Sequence, residues 1–418
     1  MSEWKKVKIG DIFSIEKGSL QSSKCTPGEY DFITAATDWK THNSFDHECE
    51  AIVYAVAASG SLGRAHYVNG KFIASDLCFI LTEKDKKQYP INFLFYQIVF
   101  EMLRDEIVSK TKTGTSKESI NRGNFSNYEI PYFPIEFQLA NYQKFVNAKN
   151  IIKNLLEESE KQKNYIKQLR QNILQNAIEG KLTADWRKQN PVQKGNPDYD
   201  AEALFEQIQK ERNNEKKHII LNDIGWYIST LDDFVKLKIG GTPARNNPLF
   251  WKPEIPWVSS GEVANCEIFS TKEQISYEGS NNSAAKILPV GTVLIAMIGQ
   301  GKTRGQAAIL RIEASTNQNV CAIILPKDLI LSEFLYIYFC SRYEESRKVA
   351  TGGNQAALSG TKISKFIFPL PPLAEQREIV KQVEKHLQTI TNLENQITER
   401  EQMTKKLMQS ILKGAFLA

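Results

Sequence analysis

Residues 299–303, Gly-Gln-Gly-Lys-Thr, follow the apolar run Leu294-Ile295-Ala296-Met297-Ile298 and come close to the glycine-rich loop that cradles nucleotide phosphates. That chemistry needs more than a loop. The glycines must lie between a strand and a helix whose first amides face the phosphates, and a carboxylate after a later apolar strand must hold magnesium. Here Lys302-Thr303 runs into Arg304-Gly305 and then into 306–314, QAAILRIEA, which alternates like a strand. The later apolar segment 321–325 ends in Pro326-Lys327, where an acid is required. A P-loop-like nucleotide-binding enzyme stays open as an alternative. What the residues offer directly is a basic glycine turn between two strands.

Other reaction chemistries find less support. Asn247-Pro248-Leu249-Phe250 lacks the second proline of the motif that methylates base amino groups, and no glycine-rich cofactor turn precedes it. There is no His-Glu-x-x-His, no nucleophile elbow and no convincing carboxylate pair for metal-dependent cleavage. His42, Asp46, His47 and Cys49 crowd together, but their spacing fits no common metal site, so no metal is expected. The six cysteines form no Cys-x-x-Cys pair and read as thiols of a reducing compartment. The catalytic set expected from these residues is empty.

Any site must be positioned by a scaffold, and that scaffold is duplicated. Shifting the sequence by 238 residues aligns 113–178 with 351–416 without a gap and gives 15 identities. They include Thr113-Gly114 with Thr351-Gly352, Pro131 with Pro369, Pro134 with Pro372 and Gln138 with Gln376. The fronts correspond more loosely. WKKVKIGDIFSIEKGS (4–19) echoes WYISTLDDFVKLKIGG (226–241), and 53–68 echoes 294–310.

Each front shows short strands, at 51–58, 77–82, 255–259, 291–298 and 319–325, and one helix with an apolar side, at 91–109 or 331–349. Each then passes into a long helix. Ile152, Leu155, Ser159, Gln162, Ile166, Leu169 and Ile173 alternate at spacings of three and four, as do Val383, His386, Ile390, Leu393, Ile397, Arg400, Thr404, Leu407 and Ile411. These are heptad seams, and the obvious partner for each is the other. The fold expected is α+β, with two domains related by a pseudo-two-fold repeat and two long antiparallel helices forming a coiled coil. The boundaries are 1–136, 137–180 for the first helix, 181–223 for a linker with a short helix, 224–372, and 373–418 for the second helix.

Composition agrees with a protein of this kind. The 418 residues are 41% hydrophobic and 24% charged, without a run long enough to cross a bilayer, and the charged start lacks a signal peptide's apolar stretch, so a cytoplasmic location is expected. The formal charge is only +5, but the excess falls in 137–196 and 224–372, which suits phosphate contacts. Candidate DNA contacts follow from the glycine-rich loops. Ser61, Arg64 and His66 sit in one, and Lys302, Thr303, Arg304 and Gln306 in its repeat partner. Lys112, Thr113, Ser116 and Lys117 sit in a second loop, matched by Asn354 and Gln355. Arg and Gln suit base edges, whereas Lys, Ser and Thr suit phosphates.

The second loop leads into ISKFIFPLPPLAEQREIVKQVEKHL (363–387), and the first long helix into EGKLTADWRKQNP (179–191). Both segments, and the duplicated layout of nearly the whole chain, resemble the specificity (S) subunits of Type I restriction-modification systems. The first copy departs from the pattern, lacking counterparts of the Pro371-Pro372 pair, Ala374 and Glu375. The resemblance implies two target-recognition domains, each reading half of a split asymmetric site in double-stranded DNA, with the helices setting the gap. It implies no catalysis by this chain. Two modification (methyltransferase) subunits would bring S-adenosylmethionine, and restriction subunits would bring ATP and magnesium. A coiled-coil scaffold or an orphan specificity protein remains the other alternative.

Overall fold

The computed structural model describes residues 5–58, 60–114, 118–212, 220–299, 301–349 and 357–417, with backbone only at 349, 408–409 and 411–417. The chain divides into two compact units, Met1–Lys163 with Asn395–Ala418, and Asn164–Glu394.

In the first unit a six-stranded sheet runs in the order Phe13–Lys17, Cys78–Glu83, His47–Ala55, Ala65–Ala74, Tyr30–Ile33, Lys40–His42. The helix Phe93–Met102 packs on it, begun by Asn92, whose side chain accepts from Phe95 N. Phe13, Tyr54, Phe95, Tyr96, Phe100 and Phe125 fill the space between, so aromatic burial drives this core.

The second unit splits its strands. Five form one sheet in the order Lys236–Ile239, Val320–Ile324, Val293–Ala296, Ala307–Leu310, Cys266–Ile268. Three form another, Glu273–Ile275, Ile255–Val258, Ser315–Thr316. The helix expected at 331–349 is broken at Arg342 into Ser332–Ser341 and Tyr343–Val349, and that at 91–109 is broken at Leu103 into Phe93–Met102 and Arg104–Thr111.

The repeat is visible in how each front closes. Lys6–Lys8 pairs antiparallel with Glu129–Pro131, and Tyr227–Thr230 with Ile367–Leu370, so the start of each copy is tied to its end at positions 238 apart. The linker does not hang free. Within the second unit its helix Ala201–Arg212 buries Leu204, Phe205 and Ile208, and Phe205 stacks on Tyr227 with ring centroids 4.0 Å apart.

The long helices are Ile135–Ile178 and Leu373–Leu417, of 44 and 45 residues. Inside the second unit Arg170 meets Glu394 at 3.1 Å while Thr183, just past the first helix, meets the earlier Glu375, so the two helices run antiparallel there. Inside the first unit Lys163 pairs with Glu401 at 2.7 Å and Gln162 accepts from Arg400.

The seam is narrower than the heptads imply. Ile152, Ser159, Ile166 and Ile173 are buried at a strict spacing of seven, as are Val383, Ile390, Ile397 and Thr404. Leu155, Leu169, Leu393 and Leu407, expected in the same seam, are 37% to 46% exposed. With two helices in contact, one position per heptad is covered and the other opens to solvent. Ile411 lies where only the backbone is described. Ser159 and Thr404 satisfy their hydroxyls on the carbonyls of Leu155 and Arg400, one turn back in their own helices.

Candidate nucleic-acid interface

In the second unit, strands Lys236–Ile239 and Val293–Ala296 end, and Ala307–Leu310 and Val320–Ile324 begin, at the same end of the five-stranded sheet. Four connecting segments therefore meet there. Gly241 N donates to Thr316 O at 2.8 Å, Met297 N to Asn319 O at 2.9 Å, and Leu358 N to Met297 O at 2.9 Å, while Thr242 donates its hydroxyl to Gln318. The glycine loop is one of the four. It joins Val293–Ala296 to the antiparallel Ala307–Leu310, so a strand, and no helix, follows Lys302-Thr303. Amides of a helix start are missing where phosphates of a bound nucleotide would need them. Gly299 at φ +116° and Gly305 at φ +84° hold backbone that other residues rarely adopt.

The first unit repeats this framework. Gly18 N donates to Cys78 O at 3.0 Å, Val56 N to Leu77 O at 2.9 Å, and Ile120 N to Val56 O at 2.8 Å. The last of these is the counterpart of Leu358 N to Met297 O. Gly63 N donates to Ala55 O as Gly305 N does to Ala296 O, and Ala65 pairs with Tyr54 as Ala307 pairs with Ile295.

Those pairings fix the residue match between the two loops. Arg64 corresponds to Gln306, and Arg304 corresponds to Leu62. Leu62 and Arg304 are each 9% exposed, so both side chains are largely withdrawn from solvent. A helix arginine braces both slots. Arg104 Nε donates to Leu62 O at 2.7 Å and Arg347 Nη1 to Arg304 O at 3.2 Å. Arg304, expected among the base contacts, is thus buried in this conformation, with its carbonyl held by Arg347.

His66 is also drawn inward. Trp39 Nε1 donates to its Nδ1 at 3.2 Å, and burial, reinforced by the nearby Arg64 charge, lowers its pKa to about 4. The ring is neutral at physiological pH and offers no charge to a phosphate. Arg64 is half-buried and donates through Nη1 to Ala35 O at 2.8 Å and to Ser61 Oγ at 3.3 Å. Lys302 is exposed, and its carbonyl accepts from Tyr343 at 2.6 Å, while Thr303 and Gln306 are half-buried. Lys112 and Thr113 pair with Ser119-Ile120 in a minimal hairpin, and Lys112 Nζ lies 2.6 Å from Glu118. Ser116, Lys117, Asn354 and Gln355 lie outside the described residues.

The histidine-rich stretch resolves into separate contacts. His42 Nδ1 accepts from Thr26 N at 3.0 Å. Burial opposes charge on His47, but hydrogen bonds and charges from Asp46 and Glu16 outweigh it and raise its pKa above the usual value. Among the described residues no group of three or more His, Cys, Asp or Glu is arranged to hold a metal ion, and no helix is long and apolar enough to cross a membrane.

The model of the Type I restriction modification DNA specificity domain matches residues 1–175 and again 223–401. The chain belongs to this family. It is 24% identical over 428 aligned positions to the Type I restriction enzyme EcoDI specificity subunit of Escherichia coli, covering 99% of this chain and 88% of that one. Over 174 residues it is 29% identical to the EcoR124I/EcoR124II specificity subunit of Escherichia coli, a stretch that spans 41% of this chain and 42% of the relative. A solved structure from work on complex assembly and conformational transition of the type I R-M system superposes with a TM-score of 0.63 at 15% identity, covering 99% of this chain and 97% of the other.

Within this specificity-domain chain, the segment after the first long helix has a definite task. Gly180, at φ +70°, ends the helix against Trp226, where a Cβ would clash with the indole. Thr183 then donates to Glu375 Oε1 at 2.6 Å, Trp226 Nε1 to Glu375 Oε2 at 2.8 Å, and Arg187 adds an ion pair to the same carboxylate and a hydrogen bond to Gly180 O at 2.8 Å. Glu375 is 1% exposed. A buried carboxylate satisfied by three donors fixes the start of the second long helix. Sequence reading marked the segment without finding this clamp, because its members lie up to 192 residues apart.

Proposed function

We propose that this chain is the non-catalytic specificity subunit of a Type I restriction-modification complex, that each copy of the repeat reads one half of a bipartite asymmetric site in double-stranded DNA, and that the long helices set the gap. The observation that carries the reading is the recurrence of one loop framework at the same sheet end of both copies, with different side chains hung on it. Ser61 and Arg64 stand in one where Thr303 and Gln306 stand in the other, and Lys302 adds a cation to the second alone. Two equal frameworks with unequal side chains suit two different half-sites. Lys112 and Thr113, together with Ser116, Lys117, Asn354 and Gln355 on the companion loop, complete the proposed contacts.

The open heptad row, Leu155, Leu169, Leu393 and Leu407, offers apolar surface on which modification and restriction subunits dock, in the cytoplasm. S-adenosylmethionine, ATP and magnesium belong to those subunits in this reading. The test is to co-express the chain with a Type I modification subunit and select bound duplexes from a random library. Two short motifs at a fixed separation are expected. A single continuous motif, or enrichment no better than that of the modification subunit alone, would overturn the proposal.

A further inference from the structure

Next to the loop framework of the second unit lies a cleft of about 200 Å³. Lys238, Lys286, Gly240 and Thr316 line it together with the apolar Ala284 and Leu288. Thr316 is 1% exposed, yet its hydroxyl finds no hydrogen-bond partner among the described residues. A buried hydroxyl left unpaired costs about 1–3 kcal/mol, so its survival asks for a ligand atom. The hydroxyl sits over the bare Cα of Gly240, where a Cβ would come within 2.2 Å of Oγ1. Both lysines are exposed, and Lys286 is anchored because its ammonium donates to Ser280 O at 2.9 Å and Asn281 O at 3.3 Å, which leaves one N–H for a ligand.

The first unit carries the same backbone without the same chemistry. Gly18 packs on Ser75 O as Gly240 packs on Thr316 O, but the Ser75 hydroxyl is engaged, accepting from Leu77 N at 3.3 Å and donating to Asp76 at 3.4 Å. Glu16, two residues before Gly18, stands where Lys238 stands before Gly240 and contacts His47. Among the described residues, the Gly240 site joins two lysines, an unpaired hydroxyl and apolar lining, whereas the Gly18 site pairs its hydroxyl and has Glu16 in place of Lys238.

We propose that this cleft clamps one sugar–phosphate unit of a DNA strand, the phosphate oxygens held by Lys238, Lys286 and the Thr316 hydroxyl and the deoxyribose resting on Ala284 and Leu288. The inference rests on the DNA-recognition reading above and deepens it, adding a sequence-independent anchor beside the second copy's reading loops. Gly241 and Thr242, which follow the cleft, bond directly to the Thr316–Gln318 turn of that framework, so a strand lying across the loops passes the cleft.

The test uses the full chain and a labelled duplex of arbitrary sequence, with affinity followed against salt. Each neutralised phosphate contributes about one unit to the slope of log affinity against log salt. Because both lysines hold one phosphate, the double variant Lys238→Gln/Lys286→Gln is expected to lose about one unit of slope, not two, and to bind every sequence less tightly. Thr316→Val is expected to weaken binding several-fold at all salt concentrations with the slope unchanged. If the wild-type chain binds no duplex even with a Type I modification subunit present, the functional reading itself falls. If it binds and the double variant matches it in affinity and slope, only the clamp falls. Millimolar inorganic phosphate supplies the remaining arm: thermal stabilisation of the wild type that the double variant loses, with DNA binding unchanged, would identify a free-anion site and overturn the DNA assignment.

Discussion

The two helix starts make the most instructive pair of regions in the molecule. Gln138 and Gln376, an identity of the repeat, are both fully buried and do the same work. Asn92 N donates to Gln138 Oε1 at 2.6 Å and Leu331 N to Gln376 Oε1 at 3.0 Å, while their amides donate to Phe133 O at 2.6 Å and Pro371 O at 3.1 Å. One residue earlier the copies part. Phe137 stacks on Phe133 at 5.1 Å, whereas Glu375 is locked by Thr183, Trp226 and Arg187. The shared residue joins each long helix to its own front. The differing residue of the second copy is met by the linker's Arg187 and Thr183, a cation and a hydroxyl.

The largest expected effect breaks this contrast at its charged side. Glu375→Ala leaves buried donors facing one another and should cost about 3–5 kcal/mol, read by urea unfolding followed through tryptophan fluorescence. Phe137→Ala at the half-buried counterpart should cost only about 1–2 kcal/mol. Equal losses would deny the asymmetry. The glutamines sharpen the common side. Gln138→Ala and Gln376→Ala should each cost about 2–3 kcal/mol, within error of one another, because each strips an amide and a carbonyl of their partners.

A smaller effect depends on pH. The His66 pKa is held near 4 in the folded chain and returns to about 6.5 on unfolding, so the unfolded chain binds the extra proton between those values. Stability from this group is complete above pH 6.5 and declines as pH falls towards 4. Allowing for solvent screening, the loss is on the order of 2 kcal/mol. Ala308 follows Ala307 as His66 follows Ala65, so the second copy has no such histidine. Thermal melts of wild type and His66→Gln from pH 7 to pH 4.5 should converge as acid is added, and parallel curves would refute the assignment. The smallest effect tests the loop match. Arg304→Leu puts the first copy's residue in the same slot and should leave half-site preference unchanged, read by the duplex selection. A lost preference would return Arg304 to base reading.

What could be read from sequence was whatever repeats or alternates over short distances. The strands expected at 51–58, 255–259, 291–298 and 319–325 correspond to His47–Ala55, Ile255–Val258, Val293–Ala296 and Val320–Ile324, and both long helices lie where the heptads place them. Strand register makes Gln306 the partner of Arg64, which the loose echo of 53–68 in 294–310 does not fix, since the two stretches differ in length. The half-open seam was hidden for a similar reason, since a heptad gives the periodicity of apolar residues and not the number of helices that will cover them. The Lys238–Lys286–Thr316 cleft left only one trace, the Gly-Gly of 240–241 matching Gly18-Ser19, because its members come from three separate segments.

The central claim is that one module, used twice, reads two half-sites across a gap fixed by the helix pair. It is tested most directly by deleting one heptad from each long helix on the same layer and repeating the duplex selection in the presence of the modification subunit. The account predicts that both half-site motifs persist and that their separation shifts. Altered half-sites at an unchanged separation would contradict it.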